Sequence, residues 1–158
     1  MSRFRQEKPE EAPRDGANTE ALTQFLQRHP RLFVLTGAGC STASGIPDYR
    51  DPAGEWKHAR PVQYADFMAR HSVRQRYWAR SLIGWPRMAD ARPNRAHLAL
   101  TALQERGQLE RLVTQNVDGL HGKAGTEDVI DLHGRIDAVV CMECRTETAR
   151  ADWQAEVA

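Results

Sequence analysis

What the sequence is short of narrows the choices first. Cys40, Cys141 and Cys144 are its only three cysteines. Three thiols do not build a disulfide framework, and the close pair Cys141/Cys144 reads as metal or redox chemistry in a reducing compartment. No apolar run approaches the roughly 20 residues that a membrane-spanning helix needs. The stretch Met1 to Gly16 has no apolar h-region, and Glu7, Glu10, Glu11 and Asp15 lie among its arginines. It therefore reads neither as a secretory signal nor as a transit peptide. A cytoplasmic setting and no membrane partner are expected. A charge excess is also missing, since 22 basic against 21 acidic side chains leave a formal charge of +1. That balance argues against direct nucleic-acid binding, which calls for a basic surplus. Lysine is nearly absent: apart from Lys8, Lys57 and Lys123, every basic residue is arginine.

What is present fits one folded domain. Hydrophobic residues make up 41% and charged residues 27% of the 158, which excludes general disorder. Residues 1–17 are charged and aperiodic and read as a disordered tail. Asn18 or Thr19 is placed to cap a helix through Leu22, Phe25 and Leu26, stopped by Pro30. Leu32 to Thr36 is a short apolar run of the kind that forms a strand buried on both faces. It empties into Gly37-Ala38-Gly39. From about 51 to 93, aromatics are scattered among Arg and His, with Pro52, Pro61 and Pro86 as breaks, which suggests a loop-and-helix insertion. A helix from Asn94 to Arg106 follows. Leu112-Val113-Thr114 leads into Gln115-Asn116-Val117-Asp118, Val129 to Leu132 into His133-Gly134, and Ile136 to Val140 into the Cys pair. Strands alternating with polar tips and helices predict an α/β fold with a Rossmann-like parallel sheet, whose ligand sits at the carboxyl ends of the strands.

Glycines at 37 and 39 let backbone approach a phosphate closely, and a following helix start favours its charge. Thr42 stands where the usual dinucleotide fingerprint has its third glycine, so a phosphate cradle and a plain tight turn both remain open. Asp48, Tyr49 and Arg50 suit a polar ligand or, equally, a surface ion pair.

Residues 37–50, GAGCSTASGIPDYR, resemble the signature of the sirtuins, the NAD-dependent protein deacylases. TQNVDGLH at 114–121 resembles their second signature, DLHG at 131–134 their third, and Cys141-x-x-Cys144 the first half of their zinc site. The resemblance covers roughly residues 18–158. The stretch RYWAR at 76–80 with Gly84-Trp85-Pro86 looks most like the mitochondrial sirtuin-4 type and its bacterial relatives. The resemblance implies that Gly37, Ala38, Gly39 and Ser41 hold the NAD pyrophosphate region. It further implies that Asp48, Tyr49 and Arg50 form a mobile cofactor loop, and that Gln115, Asn116 and Asp118 line the nicotinamide and ribose pocket. His133 matches the catalytic base. The acyl oxygen of an acyl-lysine then attacks C1′ of the ribose, nicotinamide leaves, and the histidine takes a ribose hydroxyl proton. Histidine suits a base near neutral pH, and Asp118 suits the developing positive charge. Asp118 as a helix cap and His121 as a packing or hydrogen-bonding residue are the structural alternatives. Tyr77 and Arg80 share one helix face, where they either read an acidic acyl group or simply pack and solvate.

The boundaries implied are a tail at 1–17, a partial NAD-binding domain at 18–135 with the insertion at 51–93, and the beginning of a zinc module at 136–158. Closed zinc sites want four ligands, and Cys141 and Cys144 give two. Cys40 reads as a small apolar packer. The expectation is an N-terminal piece of a longer sirtuin, or a truncated product, that binds NAD weakly and zinc poorly and has reduced or no activity. Its substrate class would be acyl-lysine proteins. An ADP-ribosyltransferase or NAD hydrolase, a catalytically silent NAD- or ADP-ribose-binding module, and a nucleic-acid-binding zinc ribbon are the rival readings.

Overall fold

The computed structural model describes residues 16–157 except 52, 56 and 58–60. The chain divides into two compact units, 1–31 and 32–158. In the first, helix α1 spans Gly16–Arg28. It opens ahead of the expected cap: the Thr23 hydroxyl donates to the Thr19 carbonyl (2.8 Å), so Thr19 sits inside the helix. Residues 1–15 of the expected tail lie outside the described residues.

The second unit carries a parallel sheet of β1 (Leu32–Thr36), β2 (Leu109–Thr114) and β3 (Ile130–Asp131), ordered β1-β2-β3. Its register is what positions the site. Thr36 lies opposite Thr114, and Thr114 opposite Asp131, so the three carboxyl ends finish side by side. Two backbone bonds carry that alignment beyond the strands, Gln115 N–H to Thr36 C=O (3.0 Å) and Leu132 N–H to Thr114 C=O (2.9 Å). β3 is shorter than expected. Among the described residues β1 lies at the sheet's edge, and Phe33 and Leu35 are exposed on one of its faces, against the expectation of burial on both.

Between β1 and β2 the chain makes a 3₁₀ helix, Ala38–Ser44, and helices α2 (Tyr64–Ala69), α3 (His71–Asp90) and α4 (Arg95–Glu105). Asn94 starts α4 with a capping box: its side chain accepts from Ala96 N–H (2.9 Å), while its own N–H donates to His97 Nδ1 (3.2 Å). Pro86 was expected to break the chain's helicity, yet α3 runs through it. A proline there removes the bond to the carbonyl four residues back, Leu82. Gln154 Nε2 donates to that carbonyl instead, at 3.5 Å.

Helix α5 (Leu120–Lys123) follows β2. Strands β4 (Ala138–Val140) and β5 (Glu147–Ala149) pair antiparallel in a sheet of their own, and α6 (Arg150–Val157) closes the described chain. Arg150 fastens α6 to α3. Its guanidinium is buried, lies 5.0 Å from the Trp85 ring centroid and 4.8 Å from that of Trp153, and donates to Gln154 Oε1 (2.6 Å) and Ser81 Oγ (3.3 Å).

The apolar core is small. Leu32, Leu109, Leu112, Val113 and Leu120 gather around β2, and Leu112 and Leu120 are essentially inaccessible to solvent. Leu112→Ala is expected to cost about 2–5 kcal/mol, whereas Ile83→Ala, on an exposed helix face, should stay within about 0.5 kcal/mol. Urea unfolding midpoints of the two variants check this pair.

Candidate functional site

The site begins where β1 ends. Gly37 is extended, and Cys40 N–H donates to its carbonyl (2.9 Å) to open the 3₁₀ turn. Gly45, with φ +82°, closes that turn in a conformation that favours glycine. Among the described residues, and apart from its chain neighbours, a Cβ built on Gly37 or Gly39 would meet no atom within 4 Å. The turn therefore faces open space and leaves room for a ligand to reach the main chain.

Beneath the turn lies a buried polar network. Ser41, fully buried, donates from Oγ to Asp118 Oδ2 at 2.7 Å. Asn116 Nδ2 donates to the Gly37 carbonyl (3.0 Å) and to Ser41 Oγ (3.1 Å). Asp118 Oδ1 accepts from Leu120 N–H (2.9 Å), and Asn116 N–H donates to Thr114 Oγ1 (3.0 Å). Asp118 thus bonds the first N–H of α5, in line with the helix-cap reading, and also ties the tip of β2 to the glycine turn, a role the sequence did not suggest. Bonds to an ionised carboxylate in a buried site are the strong kind.

The third tip joins through His133. Its Nδ1 lies 3.1 Å from the Gln115 carbonyl. A carbonyl only accepts, so Nδ1 carries the proton and Nε2 keeps its lone pair. His133 is exposed and lines a cavity of about 440 Å³ together with Tyr64, Tyr77, Trp78 and Arg150. Tyr77 packs edge-on against Phe67 at 5.1 Å. Arg80 is exposed and does not line this cavity; the arginines that do are Arg135 and Arg150. Another cavity, about 610 Å³, is lined by Trp85, Thr114, Asp118, His121 and Asp131. Gly37, Ala38, Gly39 and Ser41 line neither cavity.

The structure keeps Asp48, Tyr49 and Arg50 apart from this network. Asp48 pairs with Lys57, Tyr49 C=O accepts from Lys57 N–H (2.9 Å), and Arg50 Nη1 donates to Gly54 C=O (2.6 Å). Cys141 and Cys144 are free and exposed on the β4–β5 turn. Cys144 Sγ lies 3.2 Å from Thr146 Oγ1, and the hydroxyl's hydrogen bond to the thiolate is the largest of the effects that lower its pKa to about 7. A thiol so easily ionised suits a metal ligand.

Sequence reasoning missed two residues behind the turn. Asn94 Nδ2 donates to Cys40 C=O (2.8 Å) and Ser44 Oγ (2.9 Å), fastening the turn to α4. His97 is fully buried beside His121, with ring centroids 4.7 Å apart. The Asn94-x-x-His97 spacing at a helix start was the available signal. His121 packs as expected, with Nε2 2.9 Å from Thr36 Oγ1. Its pKa is lowered to about 4 by burial first and the neighbouring His97 second, against an opposing pull from Asp118.

The sequence model of the Sir2 family matches residues 37–158. A "NAD-dependent protein deacetylase" of Xanthomonas campestris pv. campestris (strain 8004) is 62% identical over 134 residues, covering 85% of this chain and 46% of that protein. A "NAD-dependent protein deacylase SIR4" of Monosiga brevicollis is 54% identical over 136 residues, covering 86% and 44%. The chain thus spans about half the length of the curated relatives it matches. Among solved structures, "Sir2-p53 peptide-NAD+" superposes with a TM-score of 0.75 at 34% identity, covering 89% of this chain and 56% of that one. "Sir2 bound to acetylated peptide" gives 0.73 at 32% identity, covering 89% and 56%.

The buried imidazole carries a pH signature. With a folded pKa near 4 against an ordinary 6.5, His121 takes up its proton in the unfolded chain first. Its contribution is complete above about pH 6.5 and is lost as pH falls towards 4, on the order of 3 kcal/mol in all. His97, whose pKa is lowered chiefly by burial, acts in the same direction. Urea midpoints between pH 7.5 and 4.5 should fall more steeply for the wild type than for His121→Gln. Equal slopes would contradict the assignment.

Proposed function

The chain belongs to the Sir2 family, and on that premise we propose that it carries the part of a NAD-dependent protein deacylase that holds the nicotinamide end of the dinucleotide and supplies the base. The observation that carries this reading is the joining of three strand tips: Asn116 and Asp118 bond to the glycine turn, and His133 bonds to Gln115. NAD, when bound, supplies a ribose carbon from which nicotinamide departs as the acyl oxygen of an acyl-lysine attacks it. The open main chain of Gly37, Ala38 and Gly39 takes the diphosphate. Ser41 and Asn116 hold that turn at the height of the β2 tip. Asp118 keeps a buried negative charge beneath the developing cation. Gln115 fixes the tautomer of His133, so that Nε2 receives the proton of a ribose hydroxyl. Asp48, Tyr49 and Arg50 act as the cofactor loop, and Cys141 and Cys144 give two thiolates to a structural zinc.

The finer class we propose is the sirtuin-4 type, supported by the 54% identity to the Monosiga deacylase. Substrates are acyl-lysine proteins. Tyr77 meets the acyl chain from the wall of the His133 cavity. Arg80, on the same helix as Tyr77, is the proposed reader of an acidic acyl group.

The test compares the protein with its single-residue variants. His133→Ala should lower deacylation of an acetyl-lysine peptide by about 10²–10⁴-fold while leaving the Kd for NAD within a few-fold. The wild type should yield O-acyl-ADP-ribose. Free nicotinamide without that product would point to a NAD hydrolase or an ADP-ribosyltransferase. Undiminished activity of His133→Ala would overturn the assignment of the base. Asp118→Asn, which removes the buried charge and loosens the turn, should weaken NAD binding about 10-fold or more, as read by calorimetry.

A further inference from the structure

Cys40 of the glycine turn, His97 of α4 and His121 of α5 each place one ligand-type atom within 4.8 Å of the other two. None of the three has a role in the proposed deacylation. Their hydrogen bonds decide what each can offer. His97 Nδ1 accepts from Asn94 N–H, so its proton is on Nε2, which points to Cys40 Sγ at 3.9 Å. Thr36 Oγ1 gives its proton to Thr114 Oγ1 (2.8 Å), and therefore accepts from His121 Nε2–H (2.9 Å). The second nitrogen of His121, Nδ1, is left as a bare lone pair, buried and without a partner among the described residues. A buried acceptor with no donor is costly unless something occupies it.

From this arrangement we propose a binding site for a soft monovalent cation of the Cu(I) class, held between Cys40 Sγ and His121 Nδ1, with the His97 Nε2–H hydrogen-bonding to the sulfur. Thiolate and imidazole are the donors that such ions select. Metal–sulfur and metal–nitrogen bonds of about 2.3 and 2.0 Å span about 4.3 Å in a line, a reach on the scale of the 4.8 Å that encloses one ligand atom from each of the three residues. Zinc fits less well, because a closed zinc site wants four donors and the His97 lone pair is engaged by the helix cap. The balance is simple. Cys40 gives up its S–H proton to solvent as the sulfur–metal bond forms, and His121 contributes a lone pair with no change of protonation. One proton is released per ion, so binding tightens as pH rises.

The probe is Ag(I), redox-inert and of the same class, titrated in chloride-free buffer into the 158-residue chain. The exposed pair is first removed as Cys141→Ser/Cys144→Ser, so that only Cys40 remains as a thiol. One equivalent should bind with release of one proton, and the ¹⁵N resonance of His121 Nδ1 should move at saturation. That resonance needs no substitution in the core, so the test stands even if a buried variant fails to fold. Cys40→Ala should abolish binding. His121→Gln, which keeps a donor towards Thr36 and lacks the second nitrogen, should weaken it at least 10-fold. An unmoved Nδ1 resonance at saturating Ag(I), no binding at all, or undiminished affinity in a folded His121→Gln chain would overturn the proposal; the last would mean a lone thiol.

Discussion

The hydrogen bond from Ser41 to Asp118, 2.7 Å long and shut away from water, is the constraint on which the site rests. It joins residues 77 positions apart, one on the turn after β1 and one on the tip of β2. Asn116 makes the same crossing twice over. Because the carboxylate is buried, losing one partner strands a charge in a poor solvent, which costs far more than a surface bond would. The turn is therefore held at a fixed height above the sheet while its outer face stays open.

That network would have nothing to connect without the strand register. Thr36, Thr114 and Asp131 finish level, so each residue that follows them emerges on the same edge. The tips then differ in what they present. The first offers main chain without side chains, the second amides and a carboxylate, and the third an imidazole whose tautomer is set by the carbonyl beside it. Behind them, α4 steadies the turn through Asn94, and α3 and α6 are locked by a guanidinium among indoles. Membership of the Sir2 family is the ground on which a common purpose in dinucleotide chemistry is proposed for these features.

Much of this was legible in the residues. Short apolar runs ending in glycine or polar clusters marked all three parallel strands, because a strand needs a local pattern and its tip shows where that pattern fails. The Asn94 start of α4 was legible for the same reason. What resisted reading depended on partners far away in sequence. Pro86 reads locally as a break, and only Gln154, on another helix, relieves the carbonyl it orphans. Arg150 reads as one more surface arginine until Trp78, Trp85 and Trp153 close around it. Asp48 and Arg50 carry a motif, yet Asp48 pairs with Lys57 and Arg50 bonds to Gly54, partners the motif does not name. The apolar outer face of β1 was unreadable because continuous hydrophobicity looks the same whether one face is covered or both.

The central claim is that the three tips form one dinucleotide surface. Backbone amide mapping with ADP-ribose tests it most directly. The account predicts concentration-dependent shifts at 37–41 and 115–118, with NAD extending them to 133. Shifts confined to other parts of the chain, or saturation at the glycine turn with 115–118 unmoved, would contradict it.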